Sequence, residues 1–93
     1  MCIKTLPRYE IELENILDFI GESNPINALN FARKLEAKIN DLSHFPYKCR
    51  QSQKSNDENI RELIFTGYVI PYRINKESIV ILGIFSENEW NMR

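Results

Sequence analysis

The sequence predicts an α+β fold, with an N-terminal strand and a helical hairpin packed on one face of a small, mainly antiparallel sheet. Three observations predict it. Two stretches of helical period stand side by side in the first half, parted only by Asn24-Pro25 and a few neighbours. Three short β-rich runs fill the second half, joined by turns of two or three residues. With 93 residues, the chain buries only about 60–65% of its unfolded surface, which suits one two-layer core. It is read as a single domain over residues 1–93.

The elements follow in order. Cys2-Ile3-Lys4-Thr5-Leu6 reads as a short strand ended by Pro7. From about Tyr9 the apolar period becomes helical, with Leu13, Ile16, Leu17 and Ile20 at i, i+3, i+4 and i+7. Glu10, Glu12, Glu14 and Asp18 flank that stripe and suit the positive end of the helix dipole. By their phase these acids belong to the exposed face. Gly21 stands where a helix stop is expected. Asn24-Pro25 then reads as a new start, because Asn caps free backbone N–H groups and Pro fits the first helical position. Ala28, Phe31, Ala32, Leu35, Ile39 and Leu42 form the apolar face of this second helix, which should run to about Leu42. The short connection makes the pair an antiparallel αα-hairpin.

After Pro46 the pattern changes. A short strand is expected near Tyr47–Gln51, followed by a polar loop through Ser55-Asn56-Asp57. Ile60–Phe65 is the first β run, Thr66-Gly67 a two-residue hairpin turn, and Tyr68–Ile74 the second run. Tyr68, Ile70, Tyr72 and Ile74 alternate onto one face. Asn75–Glu77 makes another turn. Ile79–Phe85 is apolar on both faces and is expected to be a central strand. Pro71 cannot donate to a ladder, so it calls for an edge position or a bulge.

Composition excludes several classes of protein. Hydrophobic residues make up 43% and charged ones 27%, the proportions of a globular chain rather than a disordered one. Twelve basic and thirteen acidic side chains give a net charge of -1, which argues against holding nucleic acid by bulk positive charge. Residues 7–43 carry four basic and seven acidic groups; residues 44–93 carry seven and six. No apolar run approaches a membrane span, and Met1–Pro7 lacks the pattern of a signal peptide. Cys2 and Cys49 are the only cysteines. They are read as unpaired thiols, and a reducing cytoplasm is the expected location.

The side chains offer little chemistry. His44 is the only histidine and has no nucleophile placed beside it; it reads as a helix-end residue. Gly21, Gly67 and Gly83 are too dispersed for a phosphate loop. No spacing suggests a metal site, and no cofactor is expected. Three features remain. Lys48, Arg50 and Lys54 form a basic patch that either touches an acidic partner or a phosphate backbone or is a solvated loop. Arg61 shares a strand face with Leu63 and Phe65, so it either pairs with a carboxylate or serves a site. Tyr68 and Tyr72 are in phase with Ile70, which suits core packing with wet hydroxyl tips. Arg73 adjoins them.

Over nearly its whole length the chain resembles the RelE/ParE toxin superfamily. Ile60-Arg61-Glu62-Leu63, Gly67-Tyr68, Tyr72-Arg73-Ile74 and Ile79-Val80-Ile81-Leu82 carry the resemblance. So do Leu17-Asp18-Phe19-Ile20, Asn24-Pro25, Ala28, Phe31, Leu35, Ile39, Leu42, Phe45-Pro46 and Arg50 upstream. The resemblance implies a small cytosolic toxin of a type II toxin–antitoxin pair, with a helical hairpin on an antiparallel sheet. It also implies one of two activities. RelE-like members cut mRNA in the ribosomal A site; ParE-like members poison DNA gyrase and are not nucleases.

The positions where the cutters carry cations and a tyrosine can be compared with this sequence. Their lysines before the Gly-Tyr turn fall on Ile60 and Glu62, and the basic residue after it falls on Val69. Their C-terminal basic pair and tyrosine meet Glu87-Asn88-Glu89-Trp90, and a histidine position meets Ser86. Acidic or apolar groups here would not stabilise an oxyanionic transition state. The resemblance therefore implies a ParE-like toxin that acts by binding a target such as gyrase. A cognate antitoxin would lie along the helical hairpin and sheet edge. Arg61, Arg73, Tyr68, Tyr72, Ser86 and Trp90 are the expected target-binding residues. In a nuclease with a rearranged site, Arg50, Arg61 and Arg73 would supply the charge. A non-toxic interaction module of the same fold is the third reading. Ribosome and mRNA are the less favoured partners, and neither a membrane nor direct sequence-specific DNA binding is expected.

Overall fold

A computed structural model describes residues 1–52 and 55–86. The element order is β1 (Cys2–Thr5), α1 (Pro7–Ser23), α2 (Pro25–Asp41), β2 (Arg50–Gln51), β3 (Ile60–Phe65), β4 (Tyr68–Ile74), β5 (Ser78–Ile81) and β6 (Phe85–Ser86). The strands form one sheet in the order β1-β5-β4-β3-β2, with β6 pairing β4 beyond the end of β5. Among the described residues only the β1–β5 pair is parallel; β2–β3, β3–β4, β4–β5 and β4–β6 are antiparallel. The chain is thus α+β, as its pattern predicts.

Both helices begin on a proline, whose fixed φ suits the first turn and whose missing N–H costs nothing there. Asn24 alone separates them. Its N–H donates to the Ile20 carbonyl at 3.1 Å, closing α1. Its side-chain oxygen accepts from the N–H groups of Ile26 (3.0 Å) and Asn27 (3.3 Å), opening α2. Gly21, expected as a stop, lies inside α1 and faces Ala28 across the hairpin. The helix continues past it to Ser23, and Asn24, in extended conformation, supplies the cap instead.

The core lies between the hairpin and the sheet. Tyr9, Leu35, Ile39 and Leu42 come down from the helices onto Leu63, Phe65, Ile70, Tyr72, Ile74, Ile79, Ile81 and Ile84. The α1 stripe is only half-buried at Leu13, Ile16, Leu17 and Ile20; Tyr9 is the residue of α1 that reaches full burial. The apolar face of α2 goes deeper, with Leu35 only 1% exposed.

The sheet corrects two expectations and decides a third. The strand expected at Tyr47–Gln51 is limited to Arg50–Gln51, because Pro46 and Tyr47 are turned and Lys48 and Cys49 bent before Arg50 pairs with β3. The run Ile79–Phe85 is split into β5 and β6. Pro71 lies in β4, which is flanked by β3 and β5, so it is not at an edge. The break sits on the facing chain. Ile81 pairs Tyr72 and Phe85 pairs Val69, so Leu82, Gly83 and Ile84 oppose only Ile70 and Pro71. The bulge falls where Pro71 has no N–H to give.

Candidate target-binding surface

The pairing of β6 with β4 brings two of the sequence-predicted site residues together. Tyr68 and Ser86 are register partners at the end of the sheet. Beside them, Glu12, Asn15, Ile16 and Phe19 of α1 and Ile84 and Phe85 complete an open groove of about 470 Å³. Phe31 stands edge-on to both Phe65 (centroids 5.2 Å apart) and Tyr68 (5.5 Å), fixing the tyrosine ring against α2. Phe19 is 71% exposed at the rim. A phenyl ring so placed offers apolar surface to a partner. Sequence reasoning missed Phe19 as a site residue, although an aromatic beside Ile20 and off the buried stripe was a signal to look there.

Arg50, Arg61 and Arg73 do not share one face of the sheet. Arg50 lies across from Glu62 in the β2–β3 ladder, with Nη2 3.2 Å from Oε1. Glu62 is buried at 4% exposure, and its other oxygen accepts from the Ser52 hydroxyl at 3.0 Å. Arg61 donates to the carbonyls of Glu58 (2.9 Å) and Cys49 (3.2 Å) and lies 5.0 Å over the Tyr47 ring. Arg61 follows Leu63 and Phe65 onto the helix side of the sheet. Arg73 alternates with the core residues Tyr72 and Ile74, so it projects from the opposite face and is exposed. Arg50 shares that face through Glu62, and Glu62 and Val69 on it are buried.

Tyr72 is fully buried, and its hydroxyl donates to the Pro46 carbonyl at 2.7 Å. Burial pushes its phenol well above the ordinary tyrosine range, with Cys49 adding to the effect. In this position Tyr72 ties the loop after α2 to the sheet and presents no surface to a target. Lys48 pairs with Asp41. That contact holds the aspartate below, and the lysine above, its ordinary range. Lys54, Glu87, Glu89 and Trp90 lie outside the described residues. Among the described residues no group of His, Cys, Asp and Glu is arranged to hold a metal ion, and no helix is long and apolar enough to cross a membrane. Cys2 and Cys49 are free thiols.

One contact had no sequence signal at all. The Glu12 carboxylate, expected on the exposed face of α1, accepts the Ile84 N–H at 3.1 Å. It turns inward because the bulge opposite Pro71 leaves that amide outside the ladder.

A helical hairpin closed over a mainly antiparallel sheet is the architecture that the resemblance to RelE/ParE-type toxins implies. The family model for the ParE toxin of the type II toxin–antitoxin system parDE matches residues 3–89. The chain belongs to that family and is a type II toxin by membership. Among solved structures, it is similar to a chain of the chromosomal ParDE TA system from P. aeruginosa. The TM-score is 0.75 at 20% identity, over 92% of this chain and 95% of that one. No curated protein sequence matches it.

Proposed function

We propose that this toxin acts by binding DNA gyrase in the cytoplasm, without cutting RNA, and that a cognate antitoxin neutralises it. The observation that carries the reading is the commitment of its arginines. Arg50 is held by a buried carboxylate and Arg61 by two carbonyls and a ring. Arg61 and Arg73 stand on opposite faces of the sheet. Cutting a phosphodiester needs cations aimed at one developing charge, and this arrangement does not aim them. What remains is surface suited to docking: the groove beside Tyr68 and Ser86, and the exposed Arg73 on the face away from the hairpin. The antitoxin segment is assigned to the helical hairpin and sheet edge, where Ile11, Ile26 and Leu29 are exposed.

Purified protein added to a gyrase supercoiling assay tests the target. Inhibition that weakens on Arg73→Glu supports the reading, and no inhibition at excess toxin overturns it. Primer extension on translated mRNA checks the other activity; A-site cuts there would replace gyrase binding by RNA cleavage.

A further inference from the structure

The bulge at Leu82–Ile84 leaves the C-terminal arm without a full ladder. The Pro71 carbonyl accepts the Leu82 N–H at 2.9 Å, but pairing with β4 resumes only at Phe85. Between them, the Ile84 side chain is buried at 1% exposure while its N–H points to Glu12 Oε1, 3.1 Å away. Arg8 Nε steadies the other carboxylate oxygen at 3.3 Å. Gly83 makes room for the approach, since a Cβ there would stand 2.7 Å from Glu12 Oε1. Of the acids on α1, Glu10, Glu14, Asp18 and Glu22 are exposed and Glu12 is half-buried. A carboxylate accepting a backbone N–H makes a strong, charge-assisted bond.

We propose that Glu12 is a positioning residue for the C-terminal arm. Its carboxylate holds the bulge against α1 and so fixes the course on which Phe85 and Ser86 rejoin β4 beside Tyr68. Glu12 lines the groove itself and also shapes it through its hold on Ile84; Gly83→Ala, which leaves the carboxylate in place, separates the second role from the first. This inference rests on the target-binding role proposed for that groove. A residue acting only as filler would be indifferent to its acceptor oxygen; a positioning residue depends on it.

The experiment compares Glu12→Ala, Glu12→Gln, Gly83→Ala and the Glu12→Ala/Gly83→Ala double variant. It reads hydrogen exchange at the Ile84 amide and inhibition of gyrase supercoiling. Glu12→Ala should speed Ile84 exchange by about 10- to 100-fold, the loss of one hydrogen bond to a charged acceptor, and weaken inhibition. Glu12→Gln keeps an acceptor oxygen and should restore most of both. Gly83→Ala should resemble Glu12→Ala, and the double variant should be no worse than the singles, because both remove the same contact. Unchanged Ile84 exchange in Glu12→Ala overturns the proposal, as does faster exchange with undiminished inhibition. If wild-type protein leaves gyrase untouched, the gyrase reading falls instead, and the exchange comparison alone decides whether Glu12 positions the arm.

Discussion

Arg50 and Glu62 face each other across the β2–β3 ladder as an ion pair, Nη2 to Oε1 3.2 Å, with the carboxylate buried and the guanidinium partly in water. The pair anchors the two-residue strand β2 to the sheet. Removing the cation leaves a buried charge that keeps, among the described residues, the Ser52 hydroxyl as partner. Arg50→Met should therefore lower the unfolding free energy by about 1–3 kcal/mol. Arg50→Met/Glu62→Leu should recover most of that loss, because two apolar side chains leave no unpaired charge. Urea unfolding of the two variants beside wild type checks both statements.

Tyr9 and Tyr72 make stability fall in alkaline solution. Burial, with Glu10 and Glu36 adding repulsion, pushes the Tyr9 phenol up to about 12 from 10.0, and Tyr72 is raised further by its own burial. Below pH 10 both tyrosines are neutral in the folded and unfolded chain, and their contribution is fully present. Above pH 10 the unfolded chain releases these protons while the folded one keeps them, so stability declines as pH rises towards the folded values. Denaturant midpoints between pH 8 and 11.5 should fall less steeply in Tyr9→Phe than in wild type. Tyr72→Phe should also flatten the slope, and at pH 7 it should cost about 1 kcal/mol for the lost bond to the Pro46 carbonyl.

The elements were legible where one local pattern decided them. The helical period of Ala28, Phe31, Ala32, Leu35 and Ile39 has no competing reading, and Asn24-Pro25 marks its start. What was illegible depended on partners far along the chain. Nothing near Glu12 announces that an amide 72 positions away will need an acceptor. Pro71 announced a fault in the ladder but not which strand would carry it. Gly21 reads as a stop by composition, yet helix continues wherever neighbours and a later cap allow. The candidate site was legible only in part: Tyr68 and Ser86 meet, whereas Arg61 and Tyr72 are drawn into structural contacts by Cys49, Glu58 and Pro46.

Leu35 tests the packing between the layers. It is 1% exposed and belongs to the cluster that contains residues of both helices and the sheet. Truncation removes buried methyl groups and leaves a cavity that backbone on two sides resists closing. Leu35→Ala should lower the unfolding free energy by about 2–5 kcal/mol. A loss below ~1 kcal/mol in denaturant unfolding would mean that the hairpin does not bear on the sheet through this face.

The β3–β4 hairpin holds a stabilising substitution in reserve. Phe65 and Tyr68 pair across a two-residue turn in which Thr66 has φ 45° and Gly67 φ 85°. Two positive φ values in succession mark a type I′ turn, whose twist matches that of the strands. Gly67 enters this region freely. Thr66 does not, because a β-branched side chain crowds the backbone there. Asparagine tolerates the left-handed conformation and is favoured before glycine in such turns. Thr66 is exposed, so replacing it disturbs no packing. Thr66→Asn should raise the unfolding free energy by roughly 1 kcal/mol, whereas Gly67→Ala should lower it by a similar amount. Thermal unfolding of both variants checks the pair. A Thr66→Asn protein no more stable than wild type would show that the strands, not the turn residues, set the hairpin's conformation.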